Sequence, residues 1–214
     1  MNNVILKLKT NPLFNNMTDS EIRDTLIYMN YSIKNYIKNQ YIFYEGDLLN
    51  EIGIILNGKI QVIRDDYFGQ RSIVANLESG DILGESVAIV KNTKAPASTF
   101  IVENSTVIWL NFDVLKKDYN KKFIFNLLQL LSKKNLYLNE RLRTVSRRTL
   151  REKILTYLDG QRKKNNSNKF NVPLNRNEMA DFLLVDRASL SRELSKLQKE
   201  GFIKFSKNNF EILK

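Results

Sequence analysis

The chain has 214 residues, 43% of them apolar and 10% aromatic, with a formal net charge of +11. It contains no Cys and no His, which excludes disulfides, thiolate-held iron–sulfur clusters, zinc–cysteine sites, histidine-ligated haem and any Ser–His catalytic pairing. The apolar content points to a folded protein of one large or two modest domains. The N-terminal stretch MNNVILKLKTNPLF has no long apolar run, and nowhere does the chain approach the roughly 20 apolar residues of a membrane span, so a soluble, cytoplasmic protein with no membrane partner is expected.

The charge is segregated. Residues 1–140 carry 16 Lys+Arg against 15 Asp+Glu, a net of +1, whereas residues 141–214 carry 18 against 8, a net of +10. A surplus confined to the last third implies a polyanionic partner for that part alone.

From about Tyr31 to Leu110 the chain reads as short strands. YIFYEG, IGIILNGKIQVIRD, QRSIVANLESG and FIVENSTVIWL are separated by turn signals at Glu45-Gly46-Asp47, Asn57-Gly58, Asp65-Asp66 with Gly69, and Ser79-Gly80-Asp81. This spacing predicts an antiparallel barrel or roll, with Asn57-Gly58 as its strongest hairpin signal. Within it, GDILGESVAIVKNTKAPAS (80–98) begins like a backbone cradle for an anion, with two glycines, a carboxylate and a tight turn. Where a cation would complete the cradle stand Ala95, Pro96 and Ala97.

The period then changes to that of a helix. Between Asp113 and Val145 the positions Ile124, Leu128, Leu131, Leu138, Leu142 and Val145 form a heptad seam, with Asn135 in the gap. Phe123, Leu127, Leu130 and Tyr137 form a second stripe, so one long helix is expected to pack on its own chain and on a partner copy. A polar residue in such a seam fixes register at some cost in stability.

Thr149-Leu150-Arg151-Glu152 is a capping box that starts a new helix after a hinge, and QRKKNNSNK (161–169) reads as a surface loop. Asn175 and Glu178 start the next helix, with Met179, Phe182 and Leu183 inward. Asp186 caps another, with Leu190, Leu194 and Leu197 as its core stripe. Its opposite face presents Arg187, Ala188, Ser191, Arg192, Ser195, Lys196 and Lys199. Gly201 ends it, and FIKFS-KNN-FEIL is expected to form a two-stranded ribbon. Helix, turn, capped helix and β-wing describe a winged helix-turn-helix, whose second helix enters the major groove of double-stranded DNA. Arg187, Ala188, Ser189, Ser191, Arg192 and Lys196 are its candidate contacts. The fold class is therefore α+β: an N-terminal antiparallel β-roll (1–112), a long dimerisation helix (113–145) and a C-terminal winged helix-turn-helix (146–214).

A roll, a long helix and a winged helix in that order resemble the bacterial cyclic-AMP receptor protein/FNR (Crp/Fnr) superfamily of transcription regulators. YEGD (44–47), NGKIQV, ESGDILGE (78–85) and VDRASLSRELSKLQKEGFI (185–203) carry the resemblance, which spans essentially the whole chain. It implies a cyclic-nucleotide-binding-like sensor roll, a homodimer, an inverted-repeat promoter site and RNA polymerase as a further partner. It places Arg187 and Arg192 at the family's two base-contacting arginines, with Ala188 replacing an intervening glutamate that reads cytosine. The turn Leu183-Leu184-Val185 lacks the glycine of the cyclic-AMP receptor protein.

In cyclic-nucleotide-binding relatives a Gly-Glu pair is followed ten residues later by an Arg and a hydroxyl residue. Gly84-Glu85 matches the first half, but the second half is Ala95-Pro96, and Lys94 is one position early. The pocket candidates are therefore Gly84, Glu85, Ser86, Ala95, Pro96 and Ala97, with either an effector other than cyclic AMP or none. No cofactor, metal site or catalytic residue is expected, and catalysis is not: no pair of carboxylates falls in one cleft. The rival reading is a small-molecule-binding sensor module acting through protein partners.

Overall fold

Two short helices precede the sheet. Helix α1 (Asn2–Lys9) leads into a 3-10 turn at Pro12–Phe14, where the Asn11 side chain accepts from the Leu13 amide at 2.9 Å. Helix α2 (Asp19–Tyr28) starts at a complete capping box made by Thr18 and Glu21. The buried faces, including Leu8, Leu13, Phe14, Ile22 and Leu26, remove apolar surface from water at about 1.5–3 kcal/mol per large side chain. The computed structural model describes residues 2–65, 71–90, 92–114 and 120–214.

The roll is an antiparallel sheet of β1 (Ser32–Tyr36), β2 (Tyr41–Phe43), β3 (Glu51–Asp65), β4 (Arg71–Glu78), β5 (Ile82–Leu83) and β6 (Ser98–Asn111). Its order is β1-β6-β3-β4, with β2 on β6 and β5 on β3. Strands β3 and β6 form the spine, paired from Glu51↔Asn111 to Ile63↔Ser98. The sheet closes no barrel among the described residues. Asp66 and Gly69, one of the expected turns, lie outside them.

Asn57-Gly58 is not the expected hairpin. It lies inside β3, where the pairing with β6 shifts register on both sides of Asn57. Gly58 has φ +99°, and a Cβ there would stand 2.2 Å from Ser105 Oγ and 2.6 Å from the Asn104 carbonyl oxygen. The positive φ that suits a hairpin turn also suits a bulge, and the crossing of β6 selects the bulge.

Helix α3 (Glu85–Ile89) follows β5 and helix α4 (Lys121–Val145) follows β6. Helix α4 begins later than residue 113: Asp113 and Val114 are a turn, and Asn120 caps the helix by accepting from the Lys122 amide at 2.9 Å. The chain divides into two compact units, Met1–Leu130 and Leu131–Lys214, and α4 contributes to both. In the first, Phe123 packs on Phe14 (centroids 5.5 Å apart), and Asn126 donates to the carbonyls of Leu13 and Asn15.

The second unit continues with α5 (Leu150–Asn165), β7 (Lys169–Asn171), α6 (Arg176–Leu183), α7 (Arg187–Lys199), β8 (Ile203–Ser206) and β9 (Asn209–Ile212). The polar run expected as a loop is helical through Asn165, since Gln, Arg and Lys are good helix formers. The wing has three strands in the order β7-β9-β8, one more than expected. Ile154, Leu158, Met179, Leu183, Leu190, Leu194, Leu197 and Ile203 are fully buried in its core. No helix among the described residues is long and apolar enough to cross a membrane.

Candidate nucleic-acid interface and sensor-domain site

The rotation of α7 about its axis is set by Leu190, Leu194 and Leu197, all 0% exposed. Its start is set by Asp186, whose carboxylate accepts from the Ser189 amide at 2.7 Å. Hydrogen bonds from the Ser189 side chain and amide hold that carboxyl below its ordinary range. Those constraints turn Arg187, Ala188, Ser191, Arg192, Ser195, Lys196 and Lys199 outward, and all seven are exposed. Ser189 is half-buried, and its hydroxyl accepts from Arg192 Nη2 at 2.9 Å, so it orients an arginine.

The surroundings of α7 are braced. Arg151 joins Glu200 at 2.5 Å, lies 3.8 Å from Glu193 and stacks 4.6 Å from the Phe202 ring, which fixes the last turn of α7. At the turn between α6 and α7, Leu184 takes the left-handed conformation (φ +56°, ψ +55°) that a glycine adopts without strain, and its side chain is exposed. The carbonyls ending α6 are satisfied from elsewhere: Arg141 donates to those of Asp181 and Phe182, and Lys153 to that of Leu183.

Arg176 was not singled out by the sequence pattern. Its guanidinium lies 5.3 Å and 5.5 Å from the rings of Phe205 and Phe210, and Nη2 donates to the Lys207 carbonyl at 3.0 Å. It ties the start of α6 to the β8–β9 turn. Burial, with Arg187 nearby, lowers its pKa from the usual guanidinium value. Lys204 and Lys207 of the wing are exposed as well. The signal for Arg176 was weak because its partners lie about thirty residues on.

Along α4 the seam residues Leu128, Leu138 and Leu142 are 57%, 58% and 64% exposed, Ile124, Leu131 and Val145 are half-buried, and Asn135 is exposed. Asn139 donates to Asn135 Oδ1 at 2.7 Å, so the polar gap in the seam is held in one rotamer. Phe123 and Leu127 of the second stripe are buried, whereas Tyr137 meets the Phe182 ring at 5.8 Å.

In the roll, Gly84 starts α3 at φ +77°, with the Glu51 carbonyl 3.2 Å from where a Cβ would stand. Glu85 is half-buried and Ser86 exposed. Ala95 and Ala97 are buried, and Ala95 packs with Phe43, Ile55, Leu83 and Trp109. Both backbone groups of Ala95 are committed, its amide to the Asp47 carbonyl and its carbonyl to the Gly46 amide, each at 2.8 Å. Pro96 is exposed, and its carbonyl accepts from Arg64 Nε and Nη2. The position expected to carry a cation is thus taken by a buried alanine within an apolar cluster.

Comparison with known proteins follows the same division. A cyclic nucleotide-binding domain family matches residues 33–120, and a Crp-like helix-turn-helix domain family matches residues 141–214. The chain is 24% identical over 211 residues to the cyclic AMP receptor protein of Thermus thermophilus, covering 96% of this chain and 94% of that one. It is 25% identical over 173 residues to the regulatory protein HlyX of Actinobacillus pleuropneumoniae, covering 78% of this chain and 71% of the relative. The crystal structure of the Thermus thermophilus catabolite activator protein shares the fold, with a TM-score of 0.52, 22% identity and coverage of 94% and 93%. The chain belongs to the Crp/Fnr superfamily and is a DNA-binding transcription regulator with a cyclic-nucleotide-binding-like sensor domain.

Proposed function

We propose that the protein works as a homodimer that reads an inverted-repeat promoter site through α7, with Arg187 and Arg192 bonding guanine edges and Ala188 offering only a methyl contact. The observation that carries this reading is the single outward face of α7, which is basic and small-residued while its opposite stripe is fully buried. Arg in the N-terminal part of such a helix pairs with guanine O6 and N7. Ser189, Ser191 and Lys196 complete the interface, Ser189 by holding Arg192.

Two copies associate through the seam of α4, Ile124 to Val145, because covering a stripe of part-exposed apolar side chains at heptad spacing removes them from water. The working division is a sensor roll over 1–112, a dimerisation segment over 113–145 that contains α4, and a DNA-binding domain over 146–214. The protein acts on cytoplasmic DNA, with RNA polymerase as the further partner, and by binding rather than catalysis. Any effector differs from cyclic AMP, since Ala95 and Pro96 give a phosphate no counter-charge.

Nuclease footprinting of the full-length protein on promoter DNA tests this reading. A protected inverted repeat with half-sites about one helical turn apart is expected. Diffuse, salt-sensitive binding with no protected site would favour instead a sensor module that acts through protein partners.

A further inference from the structure

A cavity of about 190 Å³ opens in the sensor domain between β1, β2, the loop into β3 and the end of β6. None of Gly84, Glu85, Ser86, Ala95, Pro96 or Ala97 lines it, although it borders the inherited cassette, since Leu49 and the Glu51 carbonyl approach Gly84. Its wall has two chemical halves. Ile42, Phe43, Leu48 and Leu49 supply an aliphatic and aromatic side. Leu48 is 66% exposed, an apolar side chain standing in water at the rim. The other half is polar and carries both signs: Lys34 Nζ and Glu51 Oε2 stand 3.7 Å apart, and Lys34 also lies 5.8 Å from the centre of the Trp109 ring. The Trp109 indole N–H donates to the Tyr36 hydroxyl at 3.0 Å, so that hydroxyl is oriented and keeps a proton to donate.

We infer that this cavity binds a small apolar amino acid, with its α-carboxylate on Lys34 and Tyr36, its α-ammonium on Glu51 and its side chain against Ile42, Phe43, Leu48 and Leu49. Size, charge and polarity each narrow the class. The volume lies below the roughly 300–1,000 Å³ of common ligand pockets, which excludes a nucleotide and suits a molecule of amino-acid size. A Lys and a Glu side by side favour a ligand carrying both charges, since an anion or a cation alone would leave one of them facing a like charge. The aliphatic half and exposed Leu48 favour a side chain without charge. Binding itself stands apart from the DNA-reading proposal, and only the role of the ligand as effector rests on it.

Trp109 is the single tryptophan of the chain and lines the cavity, so its fluorescence reports occupancy directly. Full-length protein titrated with L-leucine, L-methionine and L-phenylalanine is expected to show a saturable change. 4-Methylpentanoate, which lacks the amine, and isoamylamine, which lacks the carboxylate, are expected to bind at least roughly tenfold more weakly, as the loss of one charge-assisted hydrogen bond implies. Lys34→Met and Glu51→Gln each weaken binding of the same amino acids by roughly tenfold to a hundredfold, while Lys34→Arg retains it. Circular dichroism and unliganded melting temperature establish that each variant is folded. No saturable change with any of the three amino acids, equal binding of the one-charge analogues, or unchanged affinity in both charge-removing variants would each overturn the site. Operator binding of the same variants without ligand, measured by fluorescence anisotropy, separates failure of this site from failure of the DNA-reading proposal.

Discussion

Arg192 and Ser189, three residues apart on α7, are joined by a hydrogen bond of 2.9 Å, so one of the two proposed base-reading arginines is oriented before DNA arrives. Arg187 has no such tether among the bonds of the described residues. Arg187→Ala and Arg192→Ala are each expected to cost about 1–3 kcal/mol in specific binding and to relax base preference at one position per half-site. Ser189→Ala is expected to cost less than Arg192→Ala and to act on the same base pair. A gel-shift series over single-base operator variants measures all three.

Leu184 is a branched side chain held at φ +56° in the turn between the two helices, where it buries little. A non-glycine residue there is strained by about 1–2 kcal/mol. Leu184→Gly is expected to stabilise the fold by about 0.5–1 kcal/mol after the added chain entropy of glycine. Urea unfolding of the two proteins checks this, and a loss of stability would show that Leu184 is held by contacts its exposure does not reveal.

The seam on α4 makes a prediction about assembly. Leu128→Glu with Leu138→Glu places carboxylates at two exposed seam positions and is expected to yield monomers by analytical ultracentrifugation, with the fold intact. Asn135→Leu is expected to raise dimer stability while loosening register, the usual effect of removing a polar seam residue.

Ala95→Arg restores the charge that a phosphate cradle would need, yet it is not expected to confer cyclic-AMP binding. Ala95 is buried within an apolar cluster that includes Phe43, Ile55, Leu83 and Trp109, so an arginine there would bury an unpaired cation. Destabilisation of about 3 kcal/mol or more is expected, read by thermal unfolding with and without the nucleotide.

Acid should weaken the helix caps once the pH falls below the ordinary carboxylate range. Hydrogen bonds at Thr149 hold Glu152 below its ordinary range, as those from Ser189 hold Asp186. A carboxyl whose folded pKa is depressed contributes stability that is full above its unfolded pKa and is lost as the pH falls through the folded value. The double variant Glu152→Gln, Asp186→Asn is therefore expected to show a shallower fall in melting temperature on acidification below the carboxylate range, and to lie closer to the wild type at low pH than at neutral pH.

The winged domain was legible because each device is local: caps at Thr149, Asn175 and Asp186, and three leucines at helical spacing. The second helix was legible in principle, since Thr18-Asp19-Ser20-Glu21 is the same capping box as Thr149 to Glu152, but the apolar pattern around it is short. Gly58 was misassigned because local sequence states only that φ is positive, and the choice between hairpin and bulge belongs to Ser105, almost fifty residues later. The cavity at Lys34 and Glu51 was out of reach for the same reason. Its walls come from β1, β2, the loop into β3 and β6, and only the register of the sheet brings Trp109 opposite Ser32 and Gly53.

Arg176 has a consequence for the search along DNA. By holding Phe205, Phe210 and the Lys207 carbonyl, it keeps the wing folded and aligned with the start of α6 in the free protein. A wing already in place needs no rearrangement of these contacts on encounter, so surface charge and orientation govern how fast the domain meets the duplex.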